Sequence, residues 1–258
     1  MLPLAGSDFP ASIETLVASL RAGFGGRGVL AKDIRAKGEW PRLAELAIDL
    51  TGAQLSRDTR FAQTGAETQA GVTIERLSIV AAPLHFEATP VRVDFLANQA
   101  ECAFASGPVL QLVRAGSGSV MIETQRADLE AALKKLATTL LAKQGVDVKA
   151  AHLELIERGP RSLGFRAEVT AKAFLMTARV AVTGHLDVDE NLNLRVSHLA
   201  TSGDGMIANL AGGFLRPRFL EIEKRVIPLA AYSIAGVKLH GVRISGGNAL
   251  RLEAQFGG

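Results

Sequence analysis

The residues with side chains suited to chemistry are five histidines, one cysteine, a glycine-rich stretch and a small group of acids. His85, His152, His185, His198 and His240 occur in no H-E-x-x-H or comparable spacing, the arrangement that sets two imidazoles on one helix face for a metal. His198 falls on the apolar phase of its segment, in line with Leu194 and Val196, which favours a core-edge imidazole satisfied by a backbone group over a ligand. Asp187, Asp189 and Glu190 cluster, and three acids can chelate a cation, but acids at a turn are ordinarily solvated. Gly23-Phe24-Gly25-Gly26-Arg27-Gly28 fits G-x-G-x-x-G, in which glycines let a pyrophosphate approach the backbone. Here it follows a helix instead of linking a strand to one, so it reads as a helix stop. There is no G-x-x-x-x-G-K-[ST]. Ser117 and Ser119 lie in a Gly/Ser turn without the G-x-S-x-G of a nucleophile elbow. Cys102 alternates with Ala100 and Phe104, the pattern of a small buried hydrophobe. These groups give no convergent titratable set. The expectation is a non-enzymatic protein with no catalytic residue, no metal and no cofactor.

Composition bounds the alternatives. Of 258 residues, 48% are hydrophobic and 21% charged, enough apolar content for a substantial core. Aromatics are 5%, so that core is built from Leu, Val, Ala, Ile and Phe. The formal charge is +3. Its basic residues are scattered among nearly as many acids, which argues against nucleic acid as a partner. A single cysteine rules out an internal disulfide and suits a reducing compartment. Met1-Leu2-Pro3-Leu4-Ala5 has neither a basic n-region nor a long apolar h-region. The expected location is cytoplasmic as written, or the cell envelope if the N-terminus was trimmed. No stretch approaches the roughly 20 apolar residues of a membrane span.

Periodicity places the elements. Phe9, Ile13, Leu16, Val17, Leu20 and Phe24 make one face of a helix over 8–24, with Pro10 in its first turn and Gly25-Gly26 as its stop. Residues 25–44 read as irregular. Period-two alternation follows in Leu46/Ile48/Leu50, Val72/Ile74, Val91/Val93/Phe95 and Ala100/Cys102/Phe104, which are strands with one wet face. Thr64-Gly65, Pro83 and Asn98-Gln99 are the expected turns between them. A second helix spans 127–144, with Leu129, Leu133, Leu136 and Leu140 on one face, a Glu130–Lys134 pair on another, and Gly145 as its end. A strand over 146–158 ends at Gly159-Pro160.

The longest alternation comes next. Leu163, Phe165, Ala167, Val169, Ala171 and Ala173 are followed, after a slip of phase, by Met176, Ala178, Val180, Val182, Gly184, Leu186 and Val188. Asp189-Glu190-Asn191 is a hairpin turn, and Leu192, Leu194 and Val196 return. Helical spacing resumes over 206–227 (Met206, Ile207, Leu210, Phe214, Phe219, Ile222, Val226), with a kink or two short helices expected at Pro217. Two strands close the chain around Gly246-Gly247-Asn248.

The absence of βαβ alternation argues against a parallel Rossmann-like sheet. The expected fold is α+β: a single elongated domain over 1–258 of long antiparallel strands and amphipathic helices, with pseudo-repeat halves 1–125 and 126–258. An apolar sheet face must be covered. Small residues on it (Ala167, Ala171, Ala173, Ala178, Gly184) leave room for an elongated groove between sheet and helix. A hydrocarbon tail there gains about 0.8 kcal/mol per buried methylene. The expected lipid-contacting set is Leu133, Leu136, Leu140, Phe165, Val169, Ala171, Ala178, Val180, Val182, Leu194, Val196, Leu210 and Phe214. Arg216, Arg218, Phe219, Lys224 and Arg225 are the expected membrane contact, cations beside apolar groups facing anionic headgroups.

Three stretches carry a family resemblance: Ala127-Asp128-Leu129-Glu130-Ala131-Ala132-Leu133, Val180-Ala181-Val182-Thr183-Gly184-His185-Leu186-Asp187-Val188-Asp189, and Val237-Lys238-Leu239-His240-Gly241-Val242-Arg243-Ile244-Ser245-Gly246-Gly247. Together with Gly71-Val72-Thr73-Ile74-Glu75-Arg76-Leu77, they resemble the bacterial LmeA-like phospholipid-binding family of the tubular lipid-binding (TULIP) superfamily. The resemblance implies a highly curved antiparallel sheet wrapped around amphipathic helices. It also implies phospholipid or fatty acid bound inside, for binding or transfer. The alternative is a structural or protein-interaction module with a filled core and no ligand. Which lipid is bound, and the oligomeric state, stay open.

Overall fold

The computed structural model describes residues 1–6, 9–56, 68–105, 109–142, 146–173, 176–203, 205–229 and 239–257, with the side chains of 68, 70, 173, 176 and 205–214 left aside. The fold class is α+β: helices and mostly antiparallel strands, in two open sheets. The chain divides into two compact units. One is Met1–Glu123 with pieces of Tyr232–Gly241 and Glu253–Gly258; the other is Thr124–Ala231 with Val242–Leu252.

In the first unit, helix α1 (Ile13–Gly25) starts later than its periodicity implied. Ser12 is the N-cap: its Oγ accepts from Thr15 N at 3.2 Å, and Thr15 Oγ1 accepts from Ser12 N at 2.9 Å. This reciprocal pair satisfies two end amides and fixes the first turn, so Pro10 precedes the helix instead of opening it. Leu16, Leu20 and Phe24 are buried along its inner face. Gly23 is required by close approach, since a Cβ there would stand 2.5 Å from Pro3 O. Ser12→Ala is expected to cost about 1 kcal/mol of stability, measurable as a shift of the denaturant midpoint.

Residues expected to be irregular form instead a hairpin of β2 (Asp33–Glu39) and β3 (Arg42–Asp49), with Ile34 opposite Ile48. β2 carries four charged side chains and one deeply buried residue, Ile34, the composition of an exposed edge strand. That masks its alternation. β5 (Thr68–Phe86) and β6 (Thr89–Ala105) form a long antiparallel ribbon. β3 pairs with β5 in parallel, matching Leu43 with Ile74 and Leu46 with Leu77, so this sheet is mixed and not purely antiparallel. Pro83 and Asn98-Gln99 are not turns between strands. Pro83 lies at a register shift within β5, between Ala81 and Leu84. At Gln99 (φ 50°) β6 leaves one partner, β8 (Ser117–Gln125), for another, β7 (Val109–Arg114). Thr64-Gly65 lies outside the described residues.

The ten-stranded sheet runs β14-β15-β8-β6-β5-β3-β2, with β14 being Leu239–Ser245 and β15 Ala249–Phe256. Short strands β1 (Leu2–Pro3) and β4 (Gln54–Leu55) pair with β7 and β5. The core of this unit is continuous and filled, with Leu16, Leu20, Leu43, Leu46, Ile48, Ile74, Leu110 and Phe256 at most 1% exposed.

The second unit is a meander ordered β13-β12-β11-β10-β9. Its strands are β9 (Val146–Gly159), β10 (Ser162–Ala173), β11 (Met176–Val188), β12 (Asn193–Gly203) and β13 (Val226–Pro228). Period-two spacing located the long strands because each has one apolar face. Phe165 stands opposite Gly184, Val169 opposite Val180, and Ala171 opposite Ala178. The phase slip falls at 174–175, and Gly145 and Val237 likewise lie outside the described residues.

Helix α2 (Arg126–Leu141) packs beside β9, and α3 (Gly205–Lys224) beside β11 and β12. Pro217 sits inside α3, one helix and not two. Glu130 forgoes Lys134: its Oε1 accepts from Leu153 N at 2.9 Å and lies 2.9 Å from His152 Nδ1. Glu223 likewise accepts from Leu199 N of β12 at 2.7 Å. α2 and α3 thus each supply a carboxylate that accepts a hydrogen bond from a sheet amide.

At the expected hairpin turn, Asp189 accepts from Asn193 N and Nδ2, both at 2.9 Å. The Asn193 backbone amide, then its side chain, holds the Asp189 carboxyl below its ordinary value. A lowered folded-state pKa contributes stability above the unfolded value, lost as pH falls through the folded one. Acidification below the usual aspartate range is therefore expected to lower the exchange protection of the Asn193 amide, relative to its intrinsic rate at the same pH, before the strands themselves open.

Candidate functional site

The two faces of the five-stranded sheet differ in chemistry. On one, Leu163, Phe165, Ala167, Val169 and Ala171 of β10 lie beside Ala178, Val180, Val182, Gly184 and Leu186 of β11, flanked by Leu153 and Leu155 of β9 and Leu194 and Val196 of β12. This brings Phe165, Val169, Ala171, Ala178, Val180, Val182, Leu194 and Val196 of the expected lipid set onto one surface. Ala171 (3% exposed) and Ala178 (9%) are buried, but Phe165, Val169, Val180, Val182, Leu194 and Val196 are only half-buried.

That apolar surface is only partly covered, and the helices beside the sheet are themselves loosely packed. α2 has no fully buried residue. Leu133 is half-buried, whereas Leu136 is 56% and Leu140 36% exposed, so the inward stripe read from the sequence is packed only in its first turns. The physical reason is length: a stripe must meet a partner surface along its whole run to be buried, and periodicity records only the stripe. Leu210 and Phe214 fall among the side chains left aside. At the end of α3 and in β13, Arg216, Arg218, Lys224 and Arg225 are exposed and Phe219 half-buried, with Leu220, Ile222, Val226 and Ile227 also exposed. The cations and apolar groups of the expected membrane contact share this segment.

The opposite face carries polar groups that the sequence reading set apart. His198 leaves the apolar phase. A bulge in β12 places His198 and Leu199 together opposite Gly184, so Leu199 takes the apolar position and His198 (φ 55°) turns out to solvent. A Cβ on Gly184 would meet Leu199 Cδ2 at 2.8 Å. The His198 ring lies 4.8 Å from that of His185, and its Nδ1 is 3.0 Å from Ser197 Oγ, a side-chain partner and not the expected backbone one. Asp187 Oδ1 accepts from Ser162 Oγ at 2.5 Å and Oδ2 from Ser197 Oγ at 3.1 Å. Arg158 Nη1 donates to His185 Nε2. No linear spacing announces this row, because strand pairing and two bulges assemble it.

In the first unit, a groove of about 270 Å³ is lined by Arg42, Thr73, Glu75, Gln99 and Glu101 among others. The Arg114 guanidinium holds the Glu101 carboxyl below its ordinary value. A smaller, mainly apolar space of about 60 Å³ lies among Met1, Leu77, Phe95, Cys102 and Leu112. Burial pushes the Cys102 thiol up to about 12 and lowers the Met1 amine. Cys102 is therefore a packed, protonated hydrophobe, as its alternation implied.

Among the described residues, no group of three His, Cys, Asp or Glu side chains is placed to hold a metal ion, and no helix is long and apolar enough to cross a membrane. In comparisons with known proteins, no family model, no curated protein and no solved structure matches the chain.

Proposed function

We propose that the protein binds a phospholipid or fatty acid non-enzymatically, with acyl chain laid on the apolar face of the five-stranded sheet, in a TULIP-like curved roll around its helices. The observation that carries this reading is the half-buried state of that face. A sheet surface made of Phe165, Val169, Val180, Val182, Leu194 and Val196 gains from being covered, and it is covered only in part. The first unit supplies the contrast, since its apolar residues are buried against one another.

The residues suit a hydrocarbon. Leu, Val, Ala and Phe carry no polar atom that a chain would strand. Ala171 opposite Ala178 is a pair of small side chains, and Phe165 faces Gly184, so the surface has low points beside an aromatic ring. Each methylene covered there gains about 0.8 kcal/mol. Cations at Arg216, Arg218, Lys224 and Arg225 beside exposed Leu220, Ile222, Val226 and Ile227 favour brief contact with an anionic membrane surface, from which lipid enters or leaves.

Organic extraction of protein purified from cells, followed by mass spectrometry, tests the reading. Phospholipid or fatty acid in a near-stoichiometric, reproducible amount is the expected result. Protein free of lipid, and unable to acquire it from phosphatidylglycerol vesicles, would sink it.

A further inference from the structure

We propose that Arg158, His185 and His198 form a proton-dependent binding site for a phosphate-bearing anion on the polar face of the five-stranded sheet. Two bulges build it. In β9, Glu157 pairs with Leu163 and Gly159 with Ser162, leaving Arg158 as the extra residue. In β12, His198 and Leu199 share Gly184 as their partner. Bulges re-aim side chains, and these two, on strands either side of β10 and β11, direct Arg158 and His198 at the same imidazole, His185. Gly164 of β10 keeps the path clear: a Cβ there would lie 3.3 Å from Arg158 Cδ, so the stem of Arg158 crosses over it to give its Nη1–H to His185 Nε2. His198 occupies the left-handed region (φ 55°), where the first residue of such a bulge is ordinarily glycine. Strain of that kind is retained where the side chain has a use.

The chemistry follows from the protons. Ser197 gives its hydroxyl proton to Asp187, so His198 Nδ1 donates to Ser197 Oγ and Nε2 is left to take a proton. His185 Nε2 accepts from Arg158 only while neutral. Once both rings are protonated, three cations converge, and among the described residues no acid forms an ion pair with any of them. The nearby carboxylates keep their charge but turn their oxygens to other donors, Asp187 to Ser162 and Ser197, Glu157 to Gly246 N and Glu223 of α3 to Leu199 N, while Arg166 and Arg195 pair with Glu168 and Asp189. A phosphate group taken between the guanidinium fork and two imidazolium N–H groups relieves that repulsion with charge-assisted hydrogen bonds. The site stands apart from the apolar face and does not depend on lipid binding there.

Histidine ring-proton NMR titrations of the whole protein test this, run without additive, with inorganic phosphate, and with phosphatidylglycerol vesicles. The expected result is that phosphate moves the ring-proton resonances of His185 and His198, and that phosphate binds about tenfold or more tightly near pH 6 than near pH 8. A shift with inorganic phosphate identifies a soluble phosphate as sufficient; a shift with the vesicles alone assigns the phosphate to a lipid headgroup. No shift with either overturns the site. His198→Gly relieves the backbone strain, so it is expected to keep or raise the unfolding midpoint while weakening phosphate binding about tenfold. Arg158→Ala is expected to weaken it at least as much. Unchanged binding in a folded His198→Gly protein would equally overturn the proposal.

Discussion

Phe256→Ala is expected to lower the unfolding free energy by about 3–5 kcal/mol, the largest stability loss of any single change considered. Phe256 is 1% exposed and stacks on Phe95, ring centroids 5.4 Å apart. Its ring fills the space over Gly118 of β8, where a Cβ would stand 2.2 Å from two ring atoms. One aromatic thus secures the last strand against β8 and against Phe95 of β6. Its removal leaves a cavity bounded by backbone on one side, which relaxes poorly. The converse change, Gly118→Ala, overpacks the same space at about 1–3 kcal/mol. The two are coupled, because part of the Gly118→Ala cost disappears once the ring is gone. Leu96 O, 2.7 Å from the same Cβ position, retains the rest. Chemical denaturation of the two single variants and the double variant measures all three quantities. A Phe256→Ala loss below about 1 kcal/mol would show that the closing strand does not depend on this contact.

Val180→Asp is expected to reduce co-purifying phospholipid by more than about tenfold, with the fold retained. Val180 lies in the middle of the apolar sheet face, paired with Val169 on one side and Gly203 on the other. It is half-buried, so a carboxylate there stays hydrated in the lipid-free protein. A hydrocarbon chain laid across it must strip that water, and burying an unpaired carboxylate costs several kcal/mol. Each 1.4 kcal/mol is about a factor of ten in affinity. Lipid extraction of wild-type and variant protein at equal concentration gives the ratio, and circular dichroism checks the fold. Wild-type lipid content in the variant would place any acyl chain elsewhere. Phosphate binding at Arg158, His185 and His198 is expected to be unchanged in Val180→Asp, which separates the two sites.

Much of the second unit was legible in the amino-acid order. β10 and β11 each carry one apolar face, so every second residue is apolar and the spacing alone marks strand, face and turn. Asp189 and Asn193 close the hairpin with contacts four residues apart, which local sequence can encode. The first helix was legible apart from its start, which a hydrogen-bond pair between Ser12 and Thr15 decided over the proline before it. β2 was missed because an edge strand with charged outer residues shows no alternation. The two parallel pairings to β5 were missed because pairing direction leaves no trace in the spacing of either strand.

The sequence by itself determined which residues are apolar together and with what period, and therefore the α+β class, the long antiparallel strands of the second unit and the buried state of Cys102. It also determined that its motifs match no nucleotide, metal or nucleophile signature. Tertiary structure alone decided which apolar rows find cover: the core of the first unit closes, whereas Leu136, Leu140 and much of the face around Val169 and Val180 do not. It also decided that Arg158, His185 and His198 meet. Arg158 and His185, 27 residues apart in the chain, become neighbours only when strands pair, and two inserted residues, each shifting the side-chain alternation by one, turn Arg158 and His198 toward the same ring.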